Sequence, residues 1–292
     1  MISSWILAAR PKTLIAGFSP IAIGSCLAWQ ADQFHLTAML LALLGAISVQ
    51  IGTNFCNDYC DFFQGADTEE RKGPTRAVQA GLISPRAMLV GTILMFAVTA
   101  AAAIGLSIRA GWPFLLIGAL SILFGVLYTA GKFSLAYQGL GDPFVLIFFG
   151  PVAVAGTYYV QALHLSLAVI IAGFGPGLIA MGLLIVNNLR DVEEDRAANK
   201  RTLVVRLGVT FSRVQYAACI LGSALVPVLV TLNGLSWWVT LASLSALPGL
   251  AVTSRVWRRA GADLRPCLGM TAGLLLLYTV LFCVGLGIGQ QG

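Results

Sequence analysis

Two polar stretches hold most of the acid in this chain, Asn54-Phe-Cys-Asn-Asp-Tyr-Cys-Asp-Phe-Phe-Gln-Gly-Ala-Asp67 and Asn187-Asn-Leu-Arg-Asp-Val-Glu-Glu-Asp195. Asp58, Asp61, Asp67, Glu69 and Glu70 sit in or just after the first, and Asp191, Glu193, Glu194 and Asp195 in the second. Only Asp32, Asp142 and Asp263 lie elsewhere. Carboxylates this dense repel one another unless a cation sits among them, so the two stretches are expected to form facing halves of one divalent-metal site. Hard oxygen donors without histidine or thiolate select Mg²⁺, with Mn²⁺ as its substitute, over zinc. Because Mg²⁺ is usually held by one or two carboxylates together with substrate phosphates, the substrate is expected to bring phosphate. Nearby cations suit a diphosphate: Lys72 and Arg76, Arg190, Lys200 and Arg201, and the pair Arg10 and Lys12. Tyr128 and Lys132, four residues apart, add a further polar pair. Each cation also has a plainer reading, as a topology signal or a lipid-headgroup contact.

The elements that position these residues must be helices. Residues four apart lie on one helical face, so Asn54 with Asp58, Asn57 with Asp61, and Asn187 with Asp191 and Asp195 form polar stripes. A carboxylate near a membrane interface is costly unless paired or ion-bound, which puts Asp58, Asp61, Asp191 and Asp195 at the wall of a polar cavity. Glu69, Glu70, Glu193 and Glu194 are expected at the loop surface, and Asp142, before Pro143, as a helix cap.

A membrane setting follows from composition. The chain has 292 residues, 58% hydrophobic and 10% charged, with a mean hydropathy of +0.86, too little polar residue to cover a water-facing surface. The net charge of +6 is then a topology signal and no pointer to nucleic acid. Apolar runs of about 20 residues, enough to cross a bilayer as helices, predict nine transmembrane helices near 13–30, 36–57, 87–108, 112–131, 143–161, 165–189, 214–232, 235–253 and 267–289. Together they make one all-α domain over 1–292. Pro20, Pro151, Pro176, Pro227 and Pro248 are expected to kink helices and not to end them. No cleavable leader is expected before the first span, and the six cysteines lack the spacing of a disulfide framework or a zinc site.

Every Lys and Arg except Arg109 falls on one face of this topology. The positive-inside rule makes that face, and the N-terminus, cytoplasmic. Both acidic stretches end even-numbered spans on it, where longer loops near 58–86, 130–143 and 189–214 can close as a cap over a pocket.

These residues resemble the UbiA superfamily of intramembrane prenyltransferases. The likeness is carried by Asn57 to Asp67 followed by Thr68-Glu-Glu-Arg-Lys-Gly-Pro-Thr-Arg-Ala-Val78, by Gly139-Leu-Gly-Asp-Pro-Phe-Val-Leu-Ile-Phe-Phe-Gly-Pro-Val-Ala-Val154, by Asn187 to Asp195 and by Arg10-Pro-Lys-Thr-Leu14. It is nearest the branch that prenylates 1,4-dihydroxy-2-naphthoate for menaquinone synthesis. The resemblance implies a UbiA-type bundle in the cell (inner) membrane, with Mg²⁺-dependent transfer from a polyprenyl diphosphate to the naphthoate and loss of CO₂ and pyrophosphate. It also implies that Asn57, Asp58 and Asp61 serve a first metal-diphosphate motif and Asp191 and Asp195 a second. Asn54, Asp67 and Asn187 complete the candidate metal set, and Asp61, Asp191, Tyr128 and Lys132 are the expected catalytic residues. The commoner first motif places an acid where Gly65 stands here; Asp67 arrives two residues later. Asn54 is open to either a ligand or a helix-packing role. Gly17, Gly24, Gly45 and Gly52 leave either room for a prenyl tail or space for close helix contact. Two other readings stay open: a sister activity on 4-hydroxybenzoate, homogentisate or haem, and an ion-coupled transporter, against which the acids lie at a membrane edge and not at midplane.

Overall fold

A computed structural model describes residues 2–63, 76–128 and 138–290, and all regular structure among them is helical. The chain opens with α1 (Ile2–Ala9), α2 (Pro11–Gln30), α3 (Leu36–Phe63), α4 (Pro85–Ala110) and α5 (Pro113–Leu127). Then come α6 (Gly141–Ile147), a π-helical turn Phe148–Val152, α7 (Ala153–Ala162), α8 (Leu167–Arg190), and two short helices, α9 (Val192–Ala197) and α10 (Leu203–Leu207). The last third holds α11 (Val209–Thr231), a 3₁₀ stretch Trp237–Ser245 leading into α12 (Ala246–Arg258), and α13 (Arg265–Gly289).

Eight of these segments are long and apolar enough to cross a membrane, α6 to α7 and Trp237–Arg258 each counting as one. α5 is a ninth apolar helix but has only 15 described residues, the chain beyond Tyr128 lying outside the described part. The packing is that of a chain in lipid. On α4, Ile93 and Leu94 are 58% and 56% exposed while Thr92 and Thr99 are buried. Those inward hydroxyls are satisfied, Thr92 by the Met88 carbonyl at 2.9 Å and Thr99 by Ser48 of α3 at 2.9 Å. An apolar outer face over a hydrogen-bonded polar interior is stable only where the outside is hydrocarbon.

The five prolines lie inside helical segments, as expected. At Pro151 the helix takes the π turn, Gly150 adopting φ −113° and ψ −112°. Pro151 has no N–H and its ring excludes the carbonyl one turn back, so the ladder must open here. This turn crosses α8 where α8 has no side chains. A Cβ on Gly173 would stand 2.5 Å from the Pro151 Cα, and one on Gly177 2.6 Å from the Leu146 carbonyl oxygen. The crossing brings α6 and its first residues against the end of α8 that carries the second acidic stretch.

Of the four glycines with two readings, Gly24 and Gly52 pack tightly, their Cβ positions 2.7 Å from the Val154 carbonyl oxygen and the Phe96 ring. Gly17 lines the central cavity. Gly45 faces Ala102 at ordinary contact distance.

Candidate active site

The first acidic stretch forms the last turns of α3, and the sequence pattern explains its direction: Asn54, Asn57, Asp58 and Asp61 are all buried on the inward face. Asn54 donates from Nδ2 to the Ala9 carbonyl at 3.0 Å and to Thr13 Oγ1 at 3.2 Å. Its amide nitrogen thus ties α3 to the break between α1 and α2, while the residue also lines the central cavity. At that break Arg10 sits in the left-handed region, φ 53°, a conformation that costs a side-chain-bearing residue energy and concentrates at functional sites.

One turn apart on α3, Asp58 and Asp61 do different things. Asp58 accepts backbone N–H bonds from Ala77 at 2.9 Å and Val78 at 3.4 Å, folding the following segment back over the helix end. Asp61 accepts from the Arg76 guanidinium at 2.5 Å.

The second stretch was expected as one continuous helical stripe. Instead α8 ends at Arg190 and Asp191 stands at a joint, φ −97° and ψ 11°, before α9. The register survives, because Asp191 N–H still bonds the Asn187 carbonyl at 3.1 Å and Asp195 N–H the Asp191 carbonyl at 2.8 Å. Arg190 holds Asp191 bidentately, Nε to Oδ1 and Nη2 to Oδ2 both at 2.6 Å, and reaches Asn187 Oδ1 at 2.8 Å. Lys200 Nζ lies 3.6 Å from Asp195 Oδ1. Such fork-to-fork pairing fixes orientation as well as charge.

Both stretches line a single cavity of about 820 Å³. Asn54, Asn57, Asp58 and Asp61 face it from α3, and Asn187, Asp191 and Asp195 from the α8–α9 joint. Of the predicted cations, Arg10, Lys12, Arg76, Arg190 and Lys200 line it, as does Tyr128. Arg201 is exposed and is not among the lining residues. Asp67, Lys72 and Lys132 lie outside the described residues, as do Glu69 and Glu70. The cap loops are partly helical, α9 and α10 occupying the stretch near 189–214.

Two expectations need correction. Glu194, assigned to the loop surface, lines the cavity, because the turn at Asp191 swings the first residues of α9 inward. Asp142, assigned to capping, lies inside the first turn of α6, whose N-cap is Leu140. It is 3% exposed, lines the cavity and accepts a hydrogen bond from Gln215 Nε2 at 3.1 Å. Sequence reasoning also passed over the aromatic wall. Phe144 and Phe148 stack at 4.1 Å and 14° between planes, with Phe124 edge-on to both. The i, i+4 spacing of Phe144 and Phe148 was the available signal.

The donor set fits a hard divalent cation shared with a ligand. Among the described residues no three His, Cys, Asp or Glu converge on one point, which is how Mg²⁺ is held when phosphate oxygens supply the remaining ligands. Asn57, Asp61, Asp191 and Asp195 are the oxygen donors best placed on the two sides of the cavity. Each of the three acids already has a cation beside it.

Comparison with known proteins decides the family: the model of the UbiA prenyltransferase family matches residues 18–272. The chain belongs to that family. Among similar UbiA relatives, the 1,4-dihydroxy-2-naphthoate octaprenyltransferase of Escherichia coli K12 is 38% identical, the match covering 98% of this chain and 96% of the relative. The protein of that name from Haemophilus influenzae is 37% identical over 99% and 97%, and that from Mycobacterium tuberculosis 34% over 99% and 98%. The UbiA fold is confirmed by the apo structure of a UbiA homolog from Aeropyrum pernix K1, TM-score 0.73 at 16% identity, covering 93% of this chain and 97% of that one. A UbiA homolog from Archaeoglobus fulgidus bound to GPP and Mg²⁺ matches with TM-score 0.65 at 16% identity, over 96% and 99%. This UbiA chain is therefore a multi-pass membrane protein and a prenyltransferase of the family its motifs resemble.

Proposed function

We propose that the protein transfers a polyprenyl group from polyprenyl diphosphate to 1,4-dihydroxy-2-naphthoate, releasing pyrophosphate and CO₂ and forming demethylmenaquinol. The observation that carries this reading is the convergence of both acidic stretches, with Arg10, Lys12, Arg76, Arg190 and Lys200, on one cavity. Near-full-length similarity to naphthoate octaprenyltransferases supports the choice of acceptor.

Bound Mg²⁺ would screen the diphosphate and stabilise charge on the leaving oxygen. Asn57, Asp61, Asp191 and Asp195 would hold the diphosphate's counter-ion, with Asp58, Asn187, Asn54 and Asp67 as the rest of the candidate set. Arg76 and Arg190 turn from their carboxylates toward phosphate oxygens, which Arg190 can grip in the bidentate geometry it now makes with Asp191. Lys12, Lys72, Lys200 and Arg10 add positive charge, and Tyr128 with Lys132 donates to the leaving group. As the allylic C–O bond loosens, the electron-rich naphthoate carbon attacks the allylic carbon. Water would trap the cation as an alcohol, and the described cap residues Arg76, Ala198, Lys200 and Leu203, which line the cavity, help to exclude it. The tail runs along the apolar side of the cavity past Gly17 and Val49 toward lipid.

The active face is cytoplasmic, with the N-terminus on the same side and the bundle in the cell (inner) membrane, as the loop cations require. Detergent-solubilised protein with Mg²⁺, a prenyl diphosphate and a panel of naphthoate, 4-hydroxybenzoate and homogentisate tests the reading. Prenylated naphthoate as the main product is expected. Product on another acceptor alone, or none without a membrane potential, overturns it.

A further inference from the structure

Asp142 belongs to neither acidic stretch, and its surroundings differ from those of Asp61, Asp191 and Asp195. Asp61, Asp191 and Asp195 each lie against an Arg or Lys, whereas Asp142 has one side-chain partner among the described residues, the amide of Gln215. Only its Oδ2 is engaged; Oδ1 has no hydrogen bond among the described residues, and the residue lines the cavity. Gln215 is committed by this contact. Its Oε1 is buried without a partner, and turning the amide over would set that oxygen against the carboxylate. The chain tolerates an orphaned carbonyl that an asparagine at position 142 would satisfy, since an Asn amide can donate to Oε1 and accept from Nε2. Fold stability alone therefore does not account for an acid here.

The cavity that Asp142 lines also has an aromatic wall. Phe144, two residues on, stacks on Phe148, and Phe124 closes the edge, all three lining the cavity. The missing side chain of Gly141 lets this helix start approach its neighbours: a Cβ there would lie 3.3 Å from Leu184 Cδ2 and 3.6 Å from the Tyr128 hydroxyl. Asp142 is thereby set between α5 and α8, on the wall formed by α5 and α6 and not on the α3 end. A carboxylate with no cation against it among the described residues, in a cavity that also holds stacked rings, suits a flat aromatic molecule that donates a hydroxyl. It does not suit a diphosphate, which it would repel.

We propose that Asp142 binds a ring hydroxyl of the aromatic acceptor through Oδ1, with Gln215 as its positioning residue. This rests on the acceptor being a phenol or naphthol, as in the function proposed above. An O–H donated to a carboxylate pushes electron density into the ring and raises the nucleophilicity of the carbons beside the hydroxyl. Asp142 therefore both selects hydroxylated rings and favours attack.

The test uses the full-length enzyme in detergent, with Asp142→Asn, Asp142→Leu and Asp142→Glu, assayed on 1,4-dihydroxy-2-naphthoate and on its mono-O-methyl ethers. Asp142→Asn should fold at least as well as wild type and lose ~10- to 100-fold in kcat/KM for the acceptor, the worth of one charge-assisted hydrogen bond. The KM for prenyl diphosphate should stay within about twofold, because no diphosphate contact is removed. Wild type should discriminate hydroxyl from methoxyl at one ring position, and Asp142→Leu should lose that discrimination, with Asp142→Glu restoring part of it. Unchanged acceptor kinetics in both Asp142→Asn and Asp142→Leu overturns the proposal. So does a prenyl-diphosphate KM that rises as far as the acceptor's. If wild type prenylates a different phenol, the naphthoate assignment falls and the same variants are read on that phenol; if it prenylates no phenol, both fall.

Discussion

Replacing Asp191 with alanine tests the metal-diphosphate assignment directly. In the free protein its carboxylate receives two charge-assisted bonds from Arg190, both 2.6 Å long, each worth about 1.5–3 kcal/mol. Both are lost, but Arg190 keeps Asn187 Oδ1 at 2.8 Å and lines the cavity, so the net loss of folding stability should be about 3 kcal/mol, the low end for removing one partner of a buried ion pair. The chemistry loses more. A preorganised group that stabilises developing charge is worth about 10²–10³ in rate, and a freed Arg190 at the leaving group's counter-ion adds to that. We expect kcat/KM for prenyl transfer to fall at least ~10³-fold while the protein still inserts and elutes as a folded species. Arg190→Ala should cost less, and the double variant should be no worse than Asp191→Ala alone, because the two residues act as one unit. Product formation from naphthoate and a prenyl diphosphate, with size-exclusion chromatography alongside, reads all three. Wild-type kcat/KM in Asp191→Ala refutes the assignment, and strict additivity in the double variant refutes the coupling.

Asp61→Ala should abolish transfer to the same degree, measured in that assay. Asp58→Ala removes the acceptor from the Ala77 and Val78 amides and should raise the prenyl-diphosphate KM roughly 10-fold with kcat largely kept; proteolysis after residue 76 should quicken. Chelation with EDTA should stop turnover, with Mg²⁺ or Mn²⁺ restoring it and Zn²⁺ failing, as oxygen donors dictate. Gly173→Val drives a side chain into the Pro151 backbone and should cost about 3 kcal/mol or more, seen as lost yield of folded protein at an unchanged KM in what survives.

The transmembrane segments were legible because lipid imposes a simple rule, long apolar runs that satisfy their own backbone. The i, i+4 Asn and Asp spacing likewise announced the polar faces of α3 and α8. What escaped was anything set by where one helix meets another. Asp142 looked like a cap because Asp-Pro usually starts a helix; only the crossing at Gly150, Gly173 and Gly177 makes its position interior. Glu194 looked exposed because nothing in Val-Glu-Glu-Asp marks the joint at Asp191. Asp58 and Asp61 looked equivalent by spacing, yet one holds backbone amides and the other a guanidinium, a division that depends on how residues 76–78 fold back.

The neighbouring Arg190 and Asp191 form an internal salt that travels with the chain. Loading such a site is an exchange of partners and not the filling of a bare charge, so affinity for the incoming ion and phosphates is a small difference between large terms. In the proposed reaction the same exchange would run in reverse once the isoprenoid has gone: as pyrophosphate leaves, arginine and carboxylate would close on each other again, so that product is shed without stranding a naked charge in the cavity.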